Sequence, residues 1–510
     1  MNVLMVAAEN GALPGGKVGG MGDVIRDLPA ALAAKGCRVT VLTPGYQHFS
    51  LQPGAQRLVE VVTPFRQGRE AVVLWRLADD PRRPGVTQLV LEHPGFAPCG
   101  AGRIYCDDPP ERPFATDASK FALFCRAVLE CLLAGHVSRP DVVHLHDWHS
   151  ALLALLVRFD PACGKLAGLR YVYTIHNLAL QGIRPLDHDE SSLRAWYPDL
   201  SWDHEAIVDP RYGDCFNPMR AGIRLCDKVH AVSPTYAREI QHSAGEGLQA
   251  DLREAAGAGR LAGILNGCEY PAAVGRAPGF RRLLRLVQAE LARWAEDAPH
   301  ASHQLARRKV AALLQAQSVR PAPLVTSVGR LTDQKVRLLQ APLSAGRSAI
   351  DVLLDRLGPD GLLLMLGSGD PALEQFFTEI SARRDNFLFL CGFSEALSEP
   401  IYRSGQLFLM PSSFEPCGIS QMLAMRAGQP CLVHAVGGLA DTVQDGVTGF
   451  CFGGDGEQQQ LEQLLQRFAE ALQLHARHPK QWQALRKRAA AQRFRWDDVA
   501  RDYMDLLYRQ

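Results

Sequence analysis

The residues of this sequence best suited to chemistry fall in short polar stretches, each directly after an apolar run. The earliest is Gly15-Gly16-Lys17-Val18-Gly19-Gly20-Met21-Gly22-Asp23. Glycines let the backbone approach a ligand closely, amides at a helix start favour an anion, and Lys17 adds a positive charge. The spacing is neither GxGxxG nor a Walker loop, so it points to neither a dinucleotide nor an NTPase. Asp147-Trp148-His149 and His176-Asn177 follow the runs that end at His146 and Ile175. Histidines at such places invite a metal, but there is no HExxH spacing and no cysteine or carboxylate completes a ligand set. Groups that hydrogen-bond a sugar fit better, and His144 and His146 read as buried, satisfied histidines. In the second half, Gly329-Arg330-Leu331-Thr332-Asp333-Gln334-Lys335 sets two cations five residues apart. By itself that is a solvated basic loop. As a site it suits a diphosphate, with a planar fork and a point charge to stabilise a leaving group. Further on, Pro411–Ser420 contains Glu415, expected at a helix N-terminus where a carboxylate stays ionised and can hold sugar hydroxyls. Gly437-Gly438-Leu439-Ala440-Asp441-Thr442 reads as a glycine turn opening another helix, and Ser233-Pro234 as a structural helix start.

The elements that must position these loops are continuous apolar strands alternating with amphipathic helices. Strands are expected at Val3–Ala7, Val39–Leu42, Val86–Leu91, Val142–His146, Tyr171–Ile175, Val229–Val232 and Ile264–Leu265. A second set is expected at Leu324–Val328, Leu362–Leu366, Phe387–Cys391, Leu407–Met410 and Cys431–His434. Helical periodicity is clearest in Asp23–Ala34. The alternation implies an α/β fold with parallel sheets covered on both faces. Between the sets, Gly267–Pro323 has no strand candidate; its middle, Phe280–Gln317, is helical in pattern. Doubly wound sheets bind ligands past the carboxyl ends of their strands, which is where the polar loops fall.

A chain of 510 residues, 47 % hydrophobic and 21 % charged, can fill two globular α/β domains. A formal net charge of +1 gives no field to attract nucleic acid or an acidic membrane. No apolar run is long enough to span a bilayer, and the first residues read as a buried strand rather than a leader. The 13 cysteines show no CxxC pair, so free thiols in a reducing, cytoplasmic setting are expected. The sequence specifies no oligomeric state.

Taken in order, these stretches resemble the bacterial glycogen synthases and plant starch synthases, glycosyltransferase family 5. Lys17-Val-Gly-Gly-Met resembles the K-x-G-G-L signature of that family. The likeness continues through His146-Asp-Trp-His149, Thr174-Ile-His-Asn177, Val232–Tyr236, Ile264-Leu-Asn-Gly267, Gly329–Thr332 with Gln334-Lys335, Leu366–Asp370, Phe414-Glu-Pro-Cys-Gly418 and Gly437–Val443. The resemblance implies a GT-B fold, two Rossmann-like domains facing a deep cleft. The implied division is an N-terminal domain over 1–266, a linker over 267–320, a nucleotide-sugar domain over 321–480, and closing helices over 481–510 that return to the first domain. It implies retaining transfer of glucose from ADP-glucose to the non-reducing end of an α-1,4-glucan, releasing ADP, with no cofactor and no metal. Arg330, Lys335 and Glu415 become the catalytic candidates. Lys17, Gly19, Gly20, His176, Asn266, Phe393, Cys417 and Gly418 become donor-binding candidates, with Phe393 placed to stack on the base. Glu9, Asp23 and Asp147 fall on the acceptor side. Asp187-His188-Asp189, a DxD string, is then a chance match. The segments Cys268-Glu269-Tyr270-Pro271 and Val336–Arg347 depart from the family pattern.

Other classes remain to be separated from this one. UDP-glucose is the alternative donor, and sucrose-forming or lipid-glycosylating enzymes supply alternative acceptors. A non-catalytic glucan-binding relative is opposed by the presence of Arg330, Lys335 and Glu415. An NAD oxidoreductase is opposed by the lack of GxGxxG. No protein nucleophile stands out, so a same-face substitution is expected, with Arg330 and Lys335 on the leaving diphosphate and the Lys17 loop assisting.

Overall fold

The computed structural model describes residues 1–166, 168–271, 275–297, 300–316, 320–343 and 346–509. Gln317, the expected end of the helical stretch, and positions 344–345 within Val336–Arg347 lie outside the described residues. The chain forms two compact units: Met1–Gly267 with Arg495–Gln510, and Cys268–Phe494.

Unit 1 is built on a nine-stranded sheet. From one edge the strands are Leu261–Gly263, Lys228–Ala231, Arg170–Ile175, Val142–His146, Asn2–Val6, Arg38–Pro44 and Val86–Glu92, then Gly68–Arg76 and Gln56–Phe65. The first seven pair in parallel, and the last two add an antiparallel hairpin. Buried parallel strands read as unbroken apolar runs because helices cover both faces. The hairpin escaped the sequence reading because one face is wet. Gln56–Phe65 alternates exposed and buried residues from Glu60 onward and carries Arg57 and Glu60. The strand expected at Ile264–Leu265 instead occupies Leu261–Gly263.

Unit 2 carries six parallel strands in the order Phe387–Cys391, Leu362–Gly367, Leu324–Val328, Leu407–Met410, Cys431–His434, Gly449–Phe452. The segment read as a linker is structural within this unit. Helices Phe280–Asp297 and Ala301–Gln315 cover one face of the sheet, burying Leu283, Leu284, Val287 and Leu291 against Leu364, Leu388 and Leu390. Burying each such side chain is worth about 1.5–3 kcal/mol, enough to make the helix pair an integral layer. The expected boundary at 481 also moves. Helix Pro479–Ala491 belongs to unit 2, and only Arg495 onward belongs to unit 1. The atypical Cys268–Pro271 stretch forms the crossing point: Cys268 donates its amide to the Phe494 carbonyl at 2.6 Å, and the Tyr270 hydroxyl accepts from the Phe494 amide at 2.9 Å.

Cys99 and Cys106 are joined as a disulfide, against the expectation that no cysteine is paired; the other eleven cysteines form no disulfide among the described residues. No described helix is long and apolar enough to cross a membrane.

Candidate functional site

In unit 2 the strand order reverses between Leu324–Val328 and Leu407–Met410, so a crevice opens past their carboxyl ends. The pocket there is lined by Gly329, Arg330, Lys335, Met410, Pro411 and Ser412, among others. Lys335 lies in the first turn of helix Asp333–Gln340, and its ammonium pairs with a carboxylate oxygen of the buried Glu415. The same oxygen accepts from the Ser412 hydroxyl at 3.1 Å, while the other oxygen has no partner among the described residues. Arg330 is exposed, and its guanidinium makes no ion pair with a described residue. The pocket thus holds one internally compensated cation and one uncompensated one.

Glu415 is not at a helix N-terminus, as expected, but in the loop before helix Ser420–Arg426. Gly418 has φ +75°, a left-handed turn that blocks an earlier helix start. Its carboxylate charge is compensated by Lys335 rather than by a helix dipole. The next glycine turn packs directly on this loop. A Cβ at Gly437 (φ +44°) would stand 1.9 Å from the Glu415 carbonyl oxygen, and one at Gly438 would stand 2.2 Å from that of Cys417. Cys417 is buried. Phe393, just past the strand Phe387–Cys391, is 68 % exposed and free to stack on a flat ligand.

Unit 1 has its own reversal, between Asn2–Val6 and Val142–His146. Glu9 lies just past the first strand and Asp147 just past the second. The glycine loop does open helix Gly20–Ala34, but three of its amides already serve a carboxylate. One oxygen of the buried Glu9 carboxylate accepts from the amides of Val18 at 2.9 Å, Gly19 at 2.6 Å and Gly22 at 3.3 Å. The other accepts from the Tyr105 hydroxyl at 2.9 Å. Glu9 and Gly19 therefore serve each other, correcting their assignment to acceptor and donor. Asp23, also expected to face the acceptor, pairs with Lys17 at 2.7 Å and Arg26 at 3.0 Å. Gly20 is exposed, with nothing near its Cβ position.

Asp147 adopts φ +53°, rare for a side chain with a Cβ, and this turns its carboxyl toward the neighbouring loop. It accepts from the His176 amide at 2.7 Å and the Asn177 amide at 3.4 Å. Burial pushes its carboxyl up to about 8, against the pull of those amides and with a further push from Glu9. Burial also holds His176 down at about 3 and His230 at about 4, and puts His144, His146 and His149 well below the usual range. At neutral pH these histidines and the Asp147 carboxyl are uncharged hydrogen-bonding groups, beside the Glu9 carboxylate and the Lys17–Asp23 pair. Asn266, also in unit 1, has a buried Oδ1 with no partner among the described residues.

Two other groupings are occupied by their own contacts. Asp189 of the DxD string is bound by Arg112, Arg184 and Ser191. His300, Glu374 and Cys391 bring three possible metal-ligand atoms within 4.8 Å of one another. Glu374 there accepts from the Gly369 amide at 2.8 Å, and burial pushes the Cys391 thiol up to about 12, so the cluster stands as a hydrogen-bonded group. Tyr105, Ser412, Tyr503 and Tyr508 support the two sites and escaped the sequence reading, since only tertiary structure brings them there.

Residues 2–254 match the family model described as starch synthase catalytic domain, and 322–470 match that described as glycosyl transferases group 1. The glycogen synthase of Anaeromyxobacter sp. (strain Fw109-5) is 36 % identical over 522 residues, covering 100 % of this chain and 99 % of that protein. That of Streptococcus equi subsp. equi (strain 4047) is 33 % identical, covering 99 % of both. Among solved structures, the catalytic domain of starch synthase IV from Arabidopsis thaliana, bound to ADP and acarbose, matches with a TM-score of 0.75 and 28 % identity over 99 % of this chain and 98 % of that one. A sucrose-phosphate synthase from Thermosynechococcus elongatus, at a TM-score of 0.55 and 18 % identity, shares the fold alone. Two parallel sheets in tandem, with these domain matches, are the GT-B architecture expected from the sequence. With relatives matched end to end at such identity, the chain belongs to the glycogen and starch synthase family of glycosyltransferases.

Proposed function

We propose that this chain is a cytoplasmic glycogen synthase that transfers glucose from ADP-glucose to the non-reducing end of an α-1,4-glucan with retention, releasing ADP. The observation that carries this reading is Arg330, uncompensated, beside the Lys335–Glu415 pair in the pocket past the strand reversal of unit 2. A diphosphate needs two fixed cations, and the unpaired oxygen of Glu415 can accept a sugar hydroxyl. The starch synthase structure bound to ADP and acarbose supports both ligand classes, a nucleotide and a glucan-like oligosaccharide.

In the reaction so read, the bond from the anomeric carbon to the diphosphate oxygen breaks, and the acceptor hydroxyl oxygen bonds to that carbon on the same face. The acceptor proton passes to the departing diphosphate, so no protein base is needed. Arg330 and Lys335 stabilise the charge that develops there. Within unit 2, Glu415 holds sugar hydroxyls and Phe393 stacks on the base; within unit 1, Asn266, the neutral His176 and the Lys17 loop offer hydrogen-bonding groups to a sugar. The roles of Cys417 and Gly418 are to shape the backbone around Glu415. No step is assigned to a metal ion.

Incubating the purified protein with radiolabelled ADP-glucose and glycogen, then counting the precipitated polymer, tests the reading. Incorporation is expected, and none would refute it. UDP-glucose is the second donor to try, because the exposed Phe393 ring would stack on either base. A clear kinetic preference for UDP-glucose in competition would overturn the choice of ADP.

A further inference from the structure

The buried ring nitrogens of unit 1 have a definite proton order. His230 Nε2 faces the Ile264 carbonyl at 3.1 Å, which only accepts, so Nε2 carries the proton and Nδ1 is bare. Nδ1 stands 3.0 Å from Thr174 Oγ1 and 3.2 Å from the Tyr503 hydroxyl. Thr174 must donate to it, because otherwise two lone pairs would face each other at 3.0 Å. The Thr174 oxygen then accepts from His144 Nε2 at 2.6 Å. With its one proton on Nε2, neutral His144 accepts at Nδ1 from the Tyr508 hydroxyl at 2.7 Å. Both rings are fully satisfied.

His146 is stacked on His144 with 4.3 Å between ring centroids, and its situation differs. Its Nδ1 lies 3.0 Å from His176 Nε2, while its Nε2 is buried with no partner. One of these two rings must donate to the other. If His176 donated, the His146 proton would sit on Nε2 as a stranded buried N–H. Orphaned buried donors are rarer than under-used acceptors, and each costs about 1–3 kcal/mol. His146 therefore donates from Nδ1, and His176 receives at Nε2. The proton of His176 is left on Nδ1, on a half-buried ring whose Nδ1 has no partner among the described residues.

We propose that His146 is a positioning residue that holds His176 as the neutral Nδ1–H tautomer, so that His176 presents a hydrogen-bond donor to an oxygen of the donor sugar. The identity of that acceptor rests on the function proposed above; the tautomer does not.

The test is long-range proton–nitrogen correlation on the full-length protein labelled with 15N-histidine. The His176 signals are assigned by their loss in His176→Asn. A protonated Nδ1 and a bare Nε2 are expected; the reverse pattern overturns the proposal. His146→Leu removes the donor, whereas His146→Gln keeps an N–H that can serve. The Leu variant should mix the two His176 tautomers and lower kcat roughly tenfold, the worth of about one hydrogen bond, with a smaller change in donor KM. The Gln variant should restore the tautomer and most of the turnover. A Leu variant that keeps the Nδ1–H tautomer and turns over within about twofold of the parent would also overturn it. If His146→Leu fails to fold, the parent and Gln spectra still decide. If no glucose is transferred at all, the function proposed above fails while the tautomer remains measurable.

Discussion

Past the strand reversals of their sheets, the two units differ in the proportion of their polar groups that carry charge. Past the strand reversal of unit 2 stand full charges, with Arg330 exposed and Lys335 paired to Glu415. Past that of unit 1 stand groups that burial has made neutral: His144, His146, His176 and His230, with Asp147 pushed up to about 8. Full charges suit a diphosphate, whose charge grows as it leaves. Neutral donors and acceptors suit hydroxyls, which are recognised without the cost of burying an ion. One fold type thus supports two recognition chemistries, set by the charge partners each loop supplies.

Breaking the charged side should have the largest effect. Arg330→Ala and Lys335→Ala are each expected to keep the fold and measurable donor binding but to lower kcat by about 10²–10³, since one preorganised charge is removed. Steady-state transfer assays check this, and near-parental turnover in both variants would dissolve the contrast. A trapped covalent glucosyl–protein adduct, sought by mass spectrometry, would instead replace the same-face mechanism.

Next in size is Phe393→Ala, which removes an exposed stacking face. It should raise donor KM by roughly tenfold, while Phe393→Tyr stays near parental, because aromatic stacking is worth about 1–3 kcal/mol per base. An unchanged KM in the Ala variant would show that the ring does not meet the nucleotide.

The neutral side should betray itself in acid. The folded histidines refuse protons that the unfolded chain accepts below about pH 6.5. Their contribution to stability is fully present above that pH and is lost as pH falls toward the folded values, about 4 for His230 and about 3 for His176. Unit 1 peptides should therefore lose hydrogen-exchange protection before those of unit 2 as pH is lowered from 7 to 4. Loss in unit 2 first would reverse the assignment.

Asp147 should show a pH dependence of the opposite slope. Its folded carboxyl titrates near 8 and its unfolded one near 3.9, so it erodes stability as pH rises between those values. Asp147→Asn keeps an acceptor for the His176 amide and cannot ionise. Urea melts should show the stability of the variant gaining on the parent from about pH 4 to about pH 8, then running parallel. A constant difference across that window would mean that Asp147 is already ionised in the fold.

Much of this was legible in the sequence, and the gaps have physical causes. The central strands announced themselves because residues buried on both faces leave unbroken apolar runs, as at Val142–His146 and Leu362–Leu366. The hairpin Gln56–Phe65 and Gly68–Arg76 did not, since a half-wet strand alternates and keeps its charges. Lys335 and Glu415 were found as residues, but their pairing spans 80 positions and no local spacing encodes it. The Glu9 contact with the glycine loop had a weaker signal, a lone carboxylate just after a buried strand and just before a run of glycines. Tyr503 and Tyr508 gave none, because their partners His230 and His144 lie more than 270 residues away.

The chain passes from unit 1 into unit 2 after Gly267 and returns after Phe494. Unit 2 is one continuous stretch, whereas unit 1 is closed by residues made only after all of unit 2 has been synthesised. During translation unit 2 can therefore reach its final form first, while unit 1 waits with His144 and His230 lacking their tyrosines. The order of maturation is thus the reverse of the order of synthesis: the first half of the protein to leave the ribosome is the last to be finished.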